Sequence, residues 1–191
     1  MPQPQTEPNG ATSPRSALKL CHRCIAGMLE RLESLAGELA SPAPGAPDAT
    51  QADRARALVA EIDEALNVHV ADEETDIFPA LLAACDAPAR RAQAFELVAS
   101  LLVEHREMAE LWHALRIPLL ALGGGVAVAF PGGTAADFLL RIRRHLERED
   151  LELTELMGVF DATRMRTIGI AIAHRHDEAC PRVRNCPLDK P

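Results

Sequence analysis

The sequence predicts an all-α protein: an up-down-up-down four-helix bundle with a short fifth helix and a C-terminal tail. Three observations carry this. Apolar residues are 48% of the 191, drawn from Ala and Leu more than from the β-branched and aromatic types that favour strands. Stretches rich in Pro and Gly divide the chain into four long segments of roughly 25–35 residues, and short connections force antiparallel neighbours. Each segment carries an apolar stripe at spacings of three and four.

The elements follow from the punctuation. Ser13 before Pro14 marks a helix start, since a side-chain oxygen at the cap accepts an orphan N–H and Pro suits the first turn. This helix runs to about Ala40, where SPAPGAP (41–47) cannot continue it. Thr50 with Asp53 reads as the cap of a second helix reaching about Ala84, and Asp86-Ala87-Pro88 opens a third. Gly123, Gly124 and Gly125, with FPGG at 130–133, end that region. Thr134 with Asp137 caps a fourth helix, which Gly158 stops. Asp161 caps a shorter fifth helix through about His174, followed by an irregular tail. The expected division is a disordered segment at 1–13, the bundle at 14–158, and the short helix with a Cys-containing tail at 159–191.

Charge narrows the function. With 20 Lys and Arg against 28 Asp and Glu, the net charge of −8 argues against nucleic acid, whose phosphates are gripped by clustered cations. The longest uncharged apolar stretch, 117–130, is broken by Pro118 and three glycines and is shorter than the ~20 residues a membrane-spanning helix needs. The first ten residues lack the basic and apolar regions of a signal peptide, so the expected compartment is the cytoplasm. No Gly-x-Ser-x-Gly, His-Glu-x-x-His or phosphate loop points to a hydrolase.

The stripes hold the chemistry. They read Leu18, His22, Ile25, Leu29, Leu32; Ile62, Leu66, His69, Glu73, Ile77; Val98, Leu102, His105, Ala109, Trp112; and Phe138, Ile142, His145, Glu149, Leu153, Leu156. Each contains one histidine near mid-segment, so the four should converge. Two repeat the pattern His-x-x-x-Glu, which puts an imidazole and a carboxylate on one helix face about 6 Å apart. Two buried carboxylates with no Lys or Arg on the same stripes would be costly without compensation, and divalent cations supply the missing charge. Imidazole and carboxylate without thiolate suit iron, manganese or zinc; carboxylates bridging two ions suit a non-haem di-iron centre best. Ferritin-like bundles use Glu-x-x-His twice, whereas here it occurs only at Glu110 and His113.

The order His22, His69-x-x-x-Glu73, His105, His145-x-x-x-Glu149 resembles that of the hemerythrin-like (HHE cation-binding) domain. The strings HVADEETDIFPAL from His69, EH at 104–105 and HLERED from His145 are similar to its phrasing, over about residues 18–157. The resemblance implies two iron ions with an oxo or hydroxo bridge, zinc or manganese being substitutes. It implies that His22 and His69 ligate one ion, His105 and His145 the other, and that Glu73 and Glu149 bridge them. It further implies binding of, or reaction with, oxygen, nitric oxide or peroxide, in sensing, stress response or iron-centre maintenance. Oxygen carriers of the family have His-x-x-x-His on the third helix, where this chain has Ala109, which argues against reversible oxygen carriage. The alternative function is a regulatory or interaction module with a structural metal, its protein partner contacted by the apolar segment 117–130 or by the Cys-containing tail.

Other residues read more plainly. His113, eight positions after His105, lies about 80° round the helix and off the stripe. Cys21 and Cys24 flank His22, and Cys180 and Cys186 lie in the tail with His174 and His176 nearby. A zinc site or redox pair between these cysteines is weighed against simple thiols and a mobile tail, the preferred reading. The acidic residues around each Glu, at 72–76 and 147–150, read as solvated faces.

Overall fold

The computed structural model describes residues 13–40 and 46–179, and among these there is no strand. The N-terminal segment before Ser13, most of the first loop, and Cys180 and Cys186 lie outside the described residues. Helix α1 (Pro14–Leu39) begins as its sequence predicts, with Ser13 Oγ accepting from the Ser16 amide at 3.2 Å. Helix α2 (Ala49–Ala71) begins two residues earlier than expected, because Asp48 and not Thr50 is its cap. The Gln51 amide donates to Asp48 Oδ1 at 2.8 Å while the Asp48 amide donates to Gln51 Oε1 at 3.2 Å. This reciprocal box satisfies two orphan donors at once and needs the longer Glu or Gln arm, which Asp53 does not have.

The second segment continues to Ala84 as expected, but not as one α-helix. A π turn (Asp72–Ile77) joins α2 to α3 (Phe78–Ala84). Helix α4 (Pro88–Gly123) passes through Pro118 and is followed by Gly124 at its cap and by Gly125, whose φ of 77° glycine adopts without penalty. Helix α5 (Gly132–Arg148) starts before Thr134: Pro131 occupies the cap position, no side chain caps the helix, and Asp137 instead accepts from Arg141 at 3.1 Å. A second π turn (Glu149–Leu153) leads into α6 (Thr154–Leu156) and a 3-10 turn (Met157–Val159) that contains the expected stop at Gly158. Asp161 caps α7 (Ala162–Ala179) by accepting from the Arg164 amide at 2.7 Å, and this helix runs five residues beyond the expected end.

Helix α1 packs on α2 and α5, α2 on α4, and α4 on α5, which closes the four-helix bundle. Its core falls into two apolar clusters. One holds Ile25, Leu32, Leu58, Ile62, Trp112, Leu115 and Phe138. The other holds Leu18, Ile77, Phe78, Leu101, Leu153 and Met157, and receives Ile168 and Ile172 from α7. The predicted third stripe is shifted by one residue: Leu101 and Met108 are buried, whereas Leu102 is half-buried and Ala109 exposed. Both phases share His105 and Trp112, so spacing alone did not separate them. Likewise Ala65 takes the core position beside Leu66. Among the described residues no helix is long and apolar enough to cross a membrane.

Phe138 is fully buried and stacks on Trp112 with ring centroids 5.4 Å apart. Phe138→Ala should therefore cost about 3–5 kcal/mol in chemical denaturation. Because Phe138 lies two helical turns from His145, a metal content equal to the wild type is expected; a loss under about 1 kcal/mol would show that the stack does not hold this end together.

Candidate metal centre

Between the two apolar clusters lies a polar layer: His22, His69, Glu73, His105, His145 and Glu149 are all buried. Its histidines come from the four long helices and its glutamates from the first residues of the two π turns and their borders. The π turns have a geometric cause. Successive core positions on these segments are four apart, as in His69, Glu73, Ile77 and in His145, Glu149, Leu153. Four residues of α-helix overshoot a full turn by about 40°, so two such steps drift the third residue about 80° round the helix. A turn closed by i→i+5 bonds contains more residues and takes the overshoot back. Ile77 and Leu153 are accordingly fully buried.

Of the six predicted residues, five converge tightly: one ligating atom each from His69, Glu73, His105, His145 and Glu149 lie within 4.8 Å of one another. His22 adjoins them, its Nε2 3.2 Å from Glu149 Oε2. Glu149 stands between two pairs of imidazoles. Its Oε2 faces His22 and, at 3.4 Å, His69 Nε2, while its Oε1 is 2.7 Å from His145 Nε2 and 3.9 Å from His105 Nε2. Glu73 Oε2 lies 3.2 Å from His105 Nε2 and 3.9 Å from His69 Nε2. The ion pairs of both carboxylates run to imidazoles. Seven atoms of this layer have no hydrogen-bond partner: His22 Nε2, both ring nitrogens of His69, and all four carboxylate oxygens of Glu73 and Glu149. Buried polar atoms left unsatisfied in this way are costly unless something fills the space between them. The donor set, nitrogen and carboxylate oxygen without sulfur, fits iron, manganese or zinc.

Three of the histidines are aimed by carboxylates, of which Glu74 and Asp150 belong to the acidic runs expected to be solvated and Glu104 is not singled out by the sequence. His105 Nδ1 is 2.8 Å from Glu74 Oε1, His145 Nδ1 is 2.8 Å from Glu104 Oε2, and His22 Nδ1 is 3.0 Å from Asp150 Oδ1. With Nδ1–H donating outward, each ring presents Nε2 to the centre, the usual arrangement around a ligating imidazole. The available signal was local. Glu74 and Asp150 directly follow the two glutamates, so each HxxxE continues as an acidic pair whose second member reaches a histidine on another helix. Glu104 is itself held by Arg148 at 2.6 Å, and Phe78 stacks on the His105 ring at 6.0 Å. The exposed His113 stays off the layer, as expected. Cys21 and Cys24 are buried in α1.

A model of the hemerythrin HHE cation-binding domain matches residues 13–157. The chain belongs to that family. Neither the curated proteins nor the solved structures offer a significant match. The family match covers every residue of the polar layer of this HHE domain and ends before α7.

The electrostatics of the layer depend on protons when no cation is bound. Burial, followed by the charge of Glu149, pushes the Glu73 carboxyl up to about 8. Burial opposes the His105 imidazolium, but Glu149, Glu73 and Glu74 outweigh it and push the ring up to about 10. Burial likewise opposes ionisation of Glu149, yet the surrounding imidazoles, His69 first, hold it well below the usual carboxylate range. Near neutrality Glu73 and His105 therefore carry protons that a cation must displace. Uptake of zinc, a redox-silent probe, should release protons into weakly buffered solution, and apparent affinity should fall as pH falls. Uptake independent of pH would contradict these protonation states. Replacing Glu104 by Gln or Asp150 by Asn should lower zinc affinity about 10–100-fold in competition with a chelator while the helical circular dichroism is retained.

Proposed function

We propose that this HHE-domain protein holds a non-haem di-iron centre that binds or reacts with oxygen, nitric oxide or peroxide. The carrying observation is Glu149: fully buried, with each of its oxygens turned to a different pair of imidazoles. A carboxylate so placed suits two cations side by side better than one. His22 and His69 would hold the first, His105 and His145 the second, with Glu73 and Glu149 between them.

Two ferrous ions bound there would supply electrons to a small oxidant. The chain's own residues account for the rest. Glu73 and Glu149 offset cationic charge inside an apolar bundle. Glu74, Glu104 and Asp150 hold the imidazoles facing inward, and Phe78 covers one face of His105. The exposed Ala109 provides no further ligand from α4, so the donor set leaves positions open on octahedral iron. Two surface grooves are lined in part by residues of the layer and its partners: one of about 470 Å³ by His22 and Asp150, and one of about 350 Å³ by His145 and Glu104.

Protein purified from iron-replete cells should carry about two irons per chain by elemental analysis, and its oxidised form should absorb in the near ultraviolet and visible. One metal per chain, or a colourless zinc protein, would turn the reading to a regulatory module with a structural ion. The double substitution Glu73→Gln, Glu149→Gln should abolish most iron binding with the helices retained. Air should oxidise the reduced protein irreversibly in stopped-flow absorbance, and nitric oxide should bind its reduced form. Reversible oxygen uptake would contradict the proposal.

A further inference from the structure

Helix α7 lies wholly beyond the family match, yet it grips the segment that carries Glu73. Ile168 and Ile172, one turn apart, enter the apolar cluster of Ile77, Phe78 and Leu81. One turn further on, the Arg175 guanidinium spans the first π turn: Nη1 bonds Asp72 Oδ1, and Nη2 bonds Asp76 Oδ2 at 2.6 Å. His176 Nε2 lies 2.5 Å from the other oxygen of Asp72. Asp72 is only 3% exposed, and Arg175 and His176 bond its two oxygens.

Asp72 and Asp76 bracket Glu73, and a planar fork tied to residues i and i+4 sets the pitch of the turn between them. That turn could close in either of two ways, with i→i+4 or i→i+5 bonds. Here it takes the wider form, with Glu73 and Ile77 both fully buried. We propose that Arg175 and His176 are positioning residues for Glu73: α7 clasps the π turn from outside and keeps the Glu73 carboxylate within the layer of imidazoles. The inference rests on the reading of Glu73 as a metal ligand. Loss of Arg175 would leave Asp72 buried with one partner fewer and the turn free to change its register.

The test uses the full chain loaded with ferrous iron and transferred without air into a coloured ferrous chelator. Arg175→Ala and Asp76→Asn should release iron about ten-fold faster than the wild type, with Arg175→Lys between Arg175→Ala and the wild type because an ammonium cannot span both carboxylates. Leu35→Ala, at the buried far end of α1, should lower the melting temperature without hastening release. In the metal-free chain, amide hydrogen exchange over residues 72–78 should rise about ten-fold in the two clasp variants and not in Leu35→Ala. Equal release from Leu35→Ala would overturn the proposal, as would faster exchange with unchanged release, since α7 would then serve the fold alone. If the wild-type chain takes up no iron, the di-iron reading fails separately. Exchange over 72–78 then decides whether α7 holds the turn, and unchanged exchange overturns the clasp.

Discussion

Two carboxylates buried among four imidazoles set the terms for the rest of this structure. A fully buried ion loses its hydration, and in this bundle neither Glu73 nor Glu149 recovers it from a Lys or Arg on the same stripe. Without a cation, the layer redistributes protons: Glu73 and His105 retain them, and Glu149 stays charged against the rings. The layer also divides the apolar core into two clusters. The bundle is built around a group that it is arranged to hold.

The two π turns are the local answer to that demand. Three residues at successive fourth positions drift about 80° round an α-helix, and this site places an imidazole, a carboxylate and then an apolar anchor in that order. Widening one turn restores the phase, and the same solution appears in both HxxxE segments. It also turns the following acidic residues, Glu74 and Asp150, toward histidines on neighbouring helices. The buried carboxylate and the carboxylate that orients a ring on a neighbouring helix thus come from adjacent residues of one turn. His69 is the exception: its Nδ1 has no hydrogen-bond partner, so packing alone sets its ring.

Helix α7 adds an asymmetry to this otherwise paired arrangement. The first π turn is clasped by Arg175 and His176; the second passes directly into α6 and a 3-10 turn. The element that clasps lies outside the stretch shared with the HHE family, while the element clasped carries one of its glutamates. Buried ion pairs of this kind add little to stability compared with apolar packing, and their better-attested role is to select one arrangement over others.

Much of this was legible in the sequence because helical periodicity is a local property. Ala and Leu content, the Ser13-Pro14 start, the Asp161 cap and the glycines after α4 specify helices without any knowledge of their partners. The two HxxxE patterns, one in each of two stripes, place an imidazole and a carboxylate on the same face whatever the bundle does. What the sequence did not decide was everything dependent on phase or on a neighbour. The shift from Leu102 and Ala109 to Leu101 and Met108 needed α4 packed against its partners, since both stripes share His105 and Trp112. The roles of Glu74, Glu104 and Asp150 needed a second helix, because an acidic side chain beside a ligand looks solvated until a ring nitrogen is brought to 3 Å from it. Nor did the spacing decide the π turns: a fourfold repeat fits an α-helix too, as the buried Cys21, Ile25 and Leu29 of α1 show, and the wider turn is seen only in the packed structure, where Ile77 and Leu153 are buried along with the glutamates.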